Sequence, residues 1–476
     1  MKVLLLNPPF LNKYSKSSRS PAVTKSGTIY FPLWLSYAAG VLDKAGHELM
    51  LIDAPAKCWT KEETLEKIKS FAPEMVVIDT STPSINNDLA FTKKIKEALP
   101  SAITCLVGTH VSACVHEIMP KESYVDIIAR HEYDYTLPEI AAEKSLEQIA
   151  GISFVKDGQV VDNPDREFIH DLDAMPFVSE VYKKHLDIHD YFYAHVSFPT
   201  VSIFSSRGCP SKCFYCMYSQ VMFGKKYRKR SAKNLFDECI YITQNFPEVK
   251  EILIDDDNFA VDQENVKQFC KLMIDSKLKL KWVVQCRVTL EYDTMVLMKK
   301  AGCRLVVVGY ESGSQKVLDG MHKGITLEMS KKFNDAAKKA HLRVHGCFMV
   351  GNPGETKETM METLIFSKRL CMDTVQYFPL IVYPGTEAWT WAKQNKYITA
   401  KSYDEWLMPD GMHNCVLSTP EVNSKELVDF CNYARKKFYI RPKYILMKAG
   451  ECLTSKDDLI RTFKAFNTFK RYLFKS

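Results

Sequence analysis

The 476 residues are 46% hydrophobic and 25% charged, with 19 Gly and 21 Pro; at ~150 residues per domain this is chain enough for about three, and disordered, collagen-like and low-complexity classes are excluded. Lys and Arg number 64 against 57 Asp and Glu, and a net +7 over this length is too mild to argue for nucleic acid. Fifteen cysteines are an odd total in a long chain, the run Val3–Leu6 is too short for a signal-peptide core, and no apolar stretch reaches the ~18 residues of a membrane span, so the expectation is a cytoplasmic chain with reduced thiols.

From residue 1 to about 145, short apolar runs alternate with amphipathic stretches. Val3–Leu6, Leu49–Ile52, Met75–Ile78, Thr104–Val107 and Val125–Ile128 predict strands; Leu33–Ala45, Thr60–Phe71, Asp88–Leu99 and Ser112–Ile118 predict helices. This spacing implies an α/β, doubly wound parallel sheet, whose ligands sit at the carboxyl ends of the strands. Those ends read Asn7-Pro8-Pro9-Phe10, Asp79-Thr80-Ser81-Thr82 and Gly108-Thr109-His110, small and polar as a large polar ligand would need. Residues 146–197 read as a connector with a hairpin at Gly151–Val161 and many aromatics after Pro176. Over 198–400 the alternation resumes, with strands expected at Val201–Phe204, Glu251–Ile254, Trp282–Gln285, Leu305–Val308, Val344–Val350 and Thr374–Leu380, a second unit compatible with a partial (β/α) barrel. Residues 401–476 are helical in pattern and basic.

Twelve cysteines are dispersed; ten of them stand in apolar or helical contexts as packing residues, and Cys114 and Cys286 lie near strand ends. Cys209, Cys213 and Cys216 instead form C-x3-C-x2-C directly after the first strand of the second unit, where a barrel keeps its chemistry. Three close thiolates can hold three irons of a cubane cluster and leave the fourth open; zinc competes, but a structural zinc site wants four ligands and the chain has no second C-x2-C.

This segment resembles the radical S-adenosylmethionine (SAM) superfamily, in which the open iron of a [4Fe-4S] cluster chelates SAM and one electron cleaves it to a 5′-deoxyadenosyl radical. The resemblance extends in order along the second unit. Tyr215 matches the aromatic beside the adenine, and Asp255-Asp256-Asp257 the acidic strand-2 motif at the SAM amino group, which of the three points inward being open. Arg287 resembles the strand-3 residue that pairs with the SAM carboxylate, and Glu311 a strand-4 position near the ribose and amino acid. Gly351 and Pro353, in Gly346–Glu355, match the strand-5 segment along the adenine, and Tyr383-Pro384-Gly385-Thr386 the end of strand 6.

A doubly wound domain ahead of such a barrel resembles the cobalamin-binding members of the superfamily. The resemblance implies a Rossmann-like cobalamin-type domain, a partial (β/α)6 radical SAM barrel and a helical C-terminal region, with Asn7, Pro8, Thr80, Ser81, Gly108, Thr109 and His110 beside the cobalamin. No D-x-H-x-x-G ligand motif follows strand 1, an absence that many members of this class share, and two departures stand out: Thr109 replaces a usual Gly, and the usual Gly-Glu-x-Glu reads His131-Glu132-Tyr133-Asp134. Val181–Asp187, Ser206–Cys209, Tyr227–Ser231 and Lys436–Arg441 resemble the hopanoid-biosynthesis radical SAM enzymes, which implies contraction of a lipid-linked amino-sugar ring to a cyclopentane; where those enzymes tend to carry Trp-Pro-Gln, this chain has Tyr218-Ser219-Gln220.

Near the end, Leu459, Phe463, Phe466, Phe469 and Leu473 recur at helical spacing among Arg461, Lys464, Lys470, Arg471 and Lys475, a basic amphipathic helix suited either to docking on the barrel or to the inner face of a membrane. The expectation is thus a radical SAM enzyme with cobalamin, acting on an unactivated C–H bond of a small or lipid-linked substrate by methylation or by carbon-skeleton rearrangement, and fed by a one-electron reductant such as flavodoxin or ferredoxin. The alternative is a non-catalytic iron–sulfur electron carrier or sensor.

Overall fold

The computed structural model describes residues 1–370, 372–454 and 459. Within them, strands β1 (Lys2–Asn7), β2 (Glu48–Asp53), β3 (Met75–Thr80), β4 (Ile103–Gly108), β5 (Ile127–Ala129), β6 (Ile152–Lys156) and β7 (Gln159–Asp162) form one sheet in the order β2-β1-β3-β4-β5-β6-β7. The first five are parallel, and Val3–Leu6 and Met75–Ile78 are fully buried, as strands covered on both faces by helices should be. Where a cap is present it sets the start of the helix: Thr60 and Glu63 close a capping box ahead of Lys61–Phe71. The expected hairpin of the connector pairs antiparallel with β5 and so extends this sheet instead of standing apart from it.

The rest of the connector is an aromatic seam. Phe31 stacks on Tyr191 at 4.0 Å and on Tyr182 at 4.4 Å, and the Tyr182 hydroxyl donates to Ser202 O in the second unit. One continuous cluster of buried side chains accordingly runs from Val3 and Val77 to Val283 and Tyr377, which joins the two units.

In the second unit, β8 (Thr200–Ile203) is followed by a short antiparallel pair, β9 (Ser206–Arg207) with β10 (Arg228–Lys229), that brackets the cysteine loop. Then come β11 (Glu251–Ile254), β12 (Lys281–Cys286), β13 (Cys303–Glu311), β14 (Arg343–Val350) and β15 (Thr374–Pro379). The order β15-β14-β13-β12-β11-β8 is parallel throughout, a six-stranded partial barrel of the TIM type with β8 and β15 as its edges.

Residues 401–423 are mostly irregular, and the helices Ser424–Tyr439 and Pro442–Thr454 follow. The first of these covers the free edge of β15. The basic amphipathic pattern expected over 459–475 lies outside the described residues apart from Leu459, as does Cys371. Among the described residues no helix is long and apolar enough to cross a membrane.

Candidate active site

Both sheets present the carboxyl ends of their strands to a common region, and the segment 11–24 that follows β1 runs through it. In the barrel, Cys209 and Cys213 are buried and Cys216 is half-buried on the loop between β9 and β10. Burial pushes the Cys216 thiol up to about 11, with Asp257 adding to it. Among the described residues no three His, Cys, Asp or Glu side chains are close enough to hold a single metal ion. A cubane asks for something else: each thiolate takes its own iron, and three thiols on one short loop fit that donor set. The Arg287 guanidinium donates to Cys213 Sγ at 3.3 Å, a cation beside a sulfur that becomes anionic on ligation.

The expected SAM residues gather around that loop. The second Arg287 nitrogen donates to the Lys323 carbonyl. Lys323 Nζ lies 2.7 Å from Glu311 Oε1 and 3.1 Å from the Tyr215 hydroxyl, which itself donates to Glu311 Oε1 at 3.1 Å. Lys323 and Glu311 are both only 5% exposed. Nothing in the sequence marks Lys323, which sits in a turn beyond β13 outside every motif.

The three aspartates separate. Asp256 is 1% exposed and both its oxygens are taken: Oδ1 accepts from Ser205 N at 2.7 Å and Ser206 N at 3.2 Å, Oδ2 from the two hydroxyls at 2.5 and 2.7 Å. With these four bonds Asp256 anchors the strand that leads into the cysteine loop. Asp255 and Asp257 instead meet Arg19 from the first unit, at 2.6 Å and 3.3 Å. Burial raises both carboxyls, and Arg19 offsets only part of the rise. Arg19 also lies 5.3 Å from the ring centre of Tyr218. Gly351 sits with the side that lacks a side chain against Leu427, and Pro353 is half-buried next to it.

In the first sheet the strand order reverses between β1 and β3, the switch point at which such sheets hold ligands. Asn7, Thr80, Ser81 and His110 converge here, each 2% exposed. Most are engaged within the chain. Tyr14 and Ser81 share a hydrogen bond of 2.9 Å, and Thr80 Oγ1 donates to Val107 O. Gly108 packs on Thr80, and His110 Nδ1 meets Thr82 Oγ1 at 3.0 Å. Lys16 Nζ reaches Asp88 at 2.8 Å and Asp79 O at 2.9 Å. Pro8 is buried, and Thr109 is the half-buried member of the group. The buried Asn7 Oδ1 has no hydrogen-bond partner, an acceptor that fits the amide side chains of a corrin ring.

The departures noted in the first unit also find a use. Glu132 and Asp134 hold Arg207, two residues before Cys209, with Asp134 in a bidentate pair at 2.7 and 3.1 Å, and Glu132 also binds Arg228 at 2.7 Å. Burial works against the Arg207 charge, and the two carboxylates outweigh it.

Comparison with known proteins identifies the families of the two units. The family described as B12 binding domain matches residues 19–141, and that described as Radical SAM superfamily matches residues 203–366. An uncharacterized methyltransferase of Pyrococcus horikoshii is 28% identical over 451 residues, 94% of each chain. The anaerobic magnesium-protoporphyrin IX monomethyl ester cyclase of Cereibacter sphaeroides is 27% identical over 345 residues, 70% of this chain and 55% of that one. The solved structure of the radical S-adenosylmethionine methyltransferase TsrM from Kitasatospora setae, with tryptophan and a SAM analogue bound, superposes with a TM-score of 0.66 at 16% identity, covering 87% of this chain and 84% of that one.

Proposed function

Since the chain belongs to the radical SAM superfamily and carries a B12-binding domain, it is an enzyme of that class, and we propose that it methylates an unactivated C–H carbon of a small or lipid-linked substrate. Its cofactors are a [4Fe-4S] cluster, SAM and cobalamin. When bound, these supply the one-electron cleavage of SAM to methionine and a 5′-deoxyadenosyl radical, and a transferable methyl group.

The observation that carries this reading is Arg287, whose guanidinium bridges Cys213 Sγ and the Lys323 carbonyl and so joins the cysteine loop to the Glu311–Lys323–Tyr215 group. In it Cys209, Cys213 and Cys216 hold the cluster, and Arg287 faces the SAM carboxylate. Glu311, Asp255 and Asp257 receive the cationic end of SAM, and Tyr215, Gly351 and Pro353 border its nucleoside. Asn7, Pro8, Thr80, Ser81, Gly108, Thr109 and His110 border the corrin ring. The segment 11–24 closes over the region and keeps water from the reacting carbon: the Tyr218 hydroxyl donates to Ser17 O at 3.1 Å, and Ser20 meets the Tyr383 hydroxyl at 3.2 Å.

A flavodoxin or ferredoxin supplies the electron. The last described helix exposes Ile445, Leu446 and Leu453 beside Lys443, which supports contact with a lipid surface at the inner face of a membrane.

The test is anaerobic reconstitution with iron, sulfide and cobalamin, then SAM and dithionite with the nucleoside products separated. Formation of 5′-deoxyadenosine is expected, and S-adenosylhomocysteine in step with product marks methylation. Product without S-adenosylhomocysteine would replace methylation by rearrangement, and a fully loaded cluster that cleaves no SAM would leave an electron carrier or sensor.

A further inference from the structure

Glu311 owes its direction to an irregularity of its strand. β13 pairs with β14 in register to Gly309↔Cys347, and the next pair is Glu311↔Phe348, so Tyr310 is skipped. The bulge sends Tyr310 into the core, fully buried, and leaves Glu311 at φ +63°, a left-handed conformation that is strained for a residue with a β-carbon. Something must hold it there. Lys323 does so with the ion pair and with its bond to Tyr215. The pair lies directly over Gly309, where an added β-carbon would come within 2.3 Å of Glu311 Oε1 and 2.9 Å of Lys323 Nζ.

Lys323 also reaches the other groups through its backbone. Its carbonyl accepts from Arg287, and two residues earlier the Met321 carbonyl accepts from Phe214 N, inside the cysteine loop, at 3.2 Å. One turn, closed by His322 at φ +53° and Gly324 at φ +66°, thus touches Tyr215, Glu311, Arg287 and the loop itself.

Resting on the radical SAM reading, we propose that Lys323 is a positioning residue for SAM: it aims Glu311 and Tyr215 into the barrel, fixes Arg287 through its carbonyl, and so sets three SAM-facing groups from a single turn. Its ammonium is engaged by Glu311 and Tyr215, and its effect on SAM passes through these partners.

The experiment measures SAM binding to cluster-loaded, reduced protein, both as a dissociation constant and as the SAM-induced change in the cluster's electron paramagnetic resonance signal. Lys323→Met should weaken SAM about tenfold or more, as loss of a charge-assisted hydrogen bond does, while iron content and the SAM-free signal stay as in the wild type. Lys323→Arg should restore part of the affinity. Gly309→Ala removes no charge but pushes the pair aside and should weaken SAM in the same direction. In the Lys323→Met/Glu311→Gln double variant the losses should not multiply, because the two residues act as one.

Unchanged affinity in Lys323→Met, or losses that multiply in the double variant, would overturn the proposal. So would loss of the cluster in Lys323→Met with normal SAM binding in Gly309→Ala, which would make the lysine a brace of the cysteine loop. A wild type that itself binds no SAM would instead sink the functional reading.

Discussion

Asp79, at the end of β3, shows how a single buried carboxyl couples the first sheet to pH. Burial pushes it up to about 7, with Lys16 pulling the other way and Asp88 adding to the rise. Asp53 and Asp256, both at about 6, and Glu355, at about 7, move in the same direction by burial. A carboxyl raised in the folded state favours folding fully below its unfolded value near 4, and that contribution is lost as the pH rises through 7. For Asp79 alone the loss is on the order of 4 kcal/mol. Urea midpoints should therefore fall between pH 4.5 and pH 7.5 less steeply in Asp79→Asn than in the wild type. Parallel slopes would refute the assignment. At the same scale, Asp255-Asp256-Asp257 explains a limit of reading residues from sequence. Three identical side chains in a row differ only in what faces them, and their partners are Ser205, Ser206 and Arg19, from other parts of the chain.

At the scale of elements, the apolar runs of the sequence were sufficient for the strands that matter. The six expected barrel strands appear as β8 and β11–β15, because a strand buried on both faces writes itself as a near-continuous apolar run. What periodicity could not show is the edge. A partial barrel leaves β15 with unpaired backbone groups, and a tyrosine supplies what a seventh strand would. The Tyr439 hydroxyl accepts from Val375 N at 2.9 Å and donates to Val375 O at 2.6 Å, while Arg435 donates to Tyr377 O at 2.6 Å. Tyr439→Phe keeps the ring and strands two backbone groups, so it should cost about 1–3 kcal/mol, read as a lower denaturant midpoint with the cluster still loaded. No loss of stability would mean that water serves the edge equally well. The bulge that turns Glu311 was equally invisible, since it is a property of pairing and not of residue type.

At the scale of the whole molecule, the cysteine triplet and the order of the two units were legible because cluster ligands must be close in sequence to share one loop. The contacts between the units were not. Glu132 and Asp134 read as departures from a ligand motif, yet they hold Arg207, 75 and 73 residues away, and so tie the first sheet to the entry of the cysteine loop. Arg207 is 1% exposed, and its guanidinium lies among Phe204, Phe223, Tyr37 and Trp34, so no water can replace it. Arg207→Met would leave Asp134 buried and without that partner, at a cost of about 3–5 kcal/mol. The loop two residues on would lose its anchor, and the variant should take up less iron on reconstitution than the wild type. The double variant Arg207→Met/Asp134→Leu removes the orphaned charge as well, and should regain most of the stability without regaining the iron. That separation tests the claim: stability follows the balance of buried charge, whereas cluster loading follows the physical link between the units. If iron returns together with stability, the link has no role beyond charge balance, and the first unit does not position the cysteine loop.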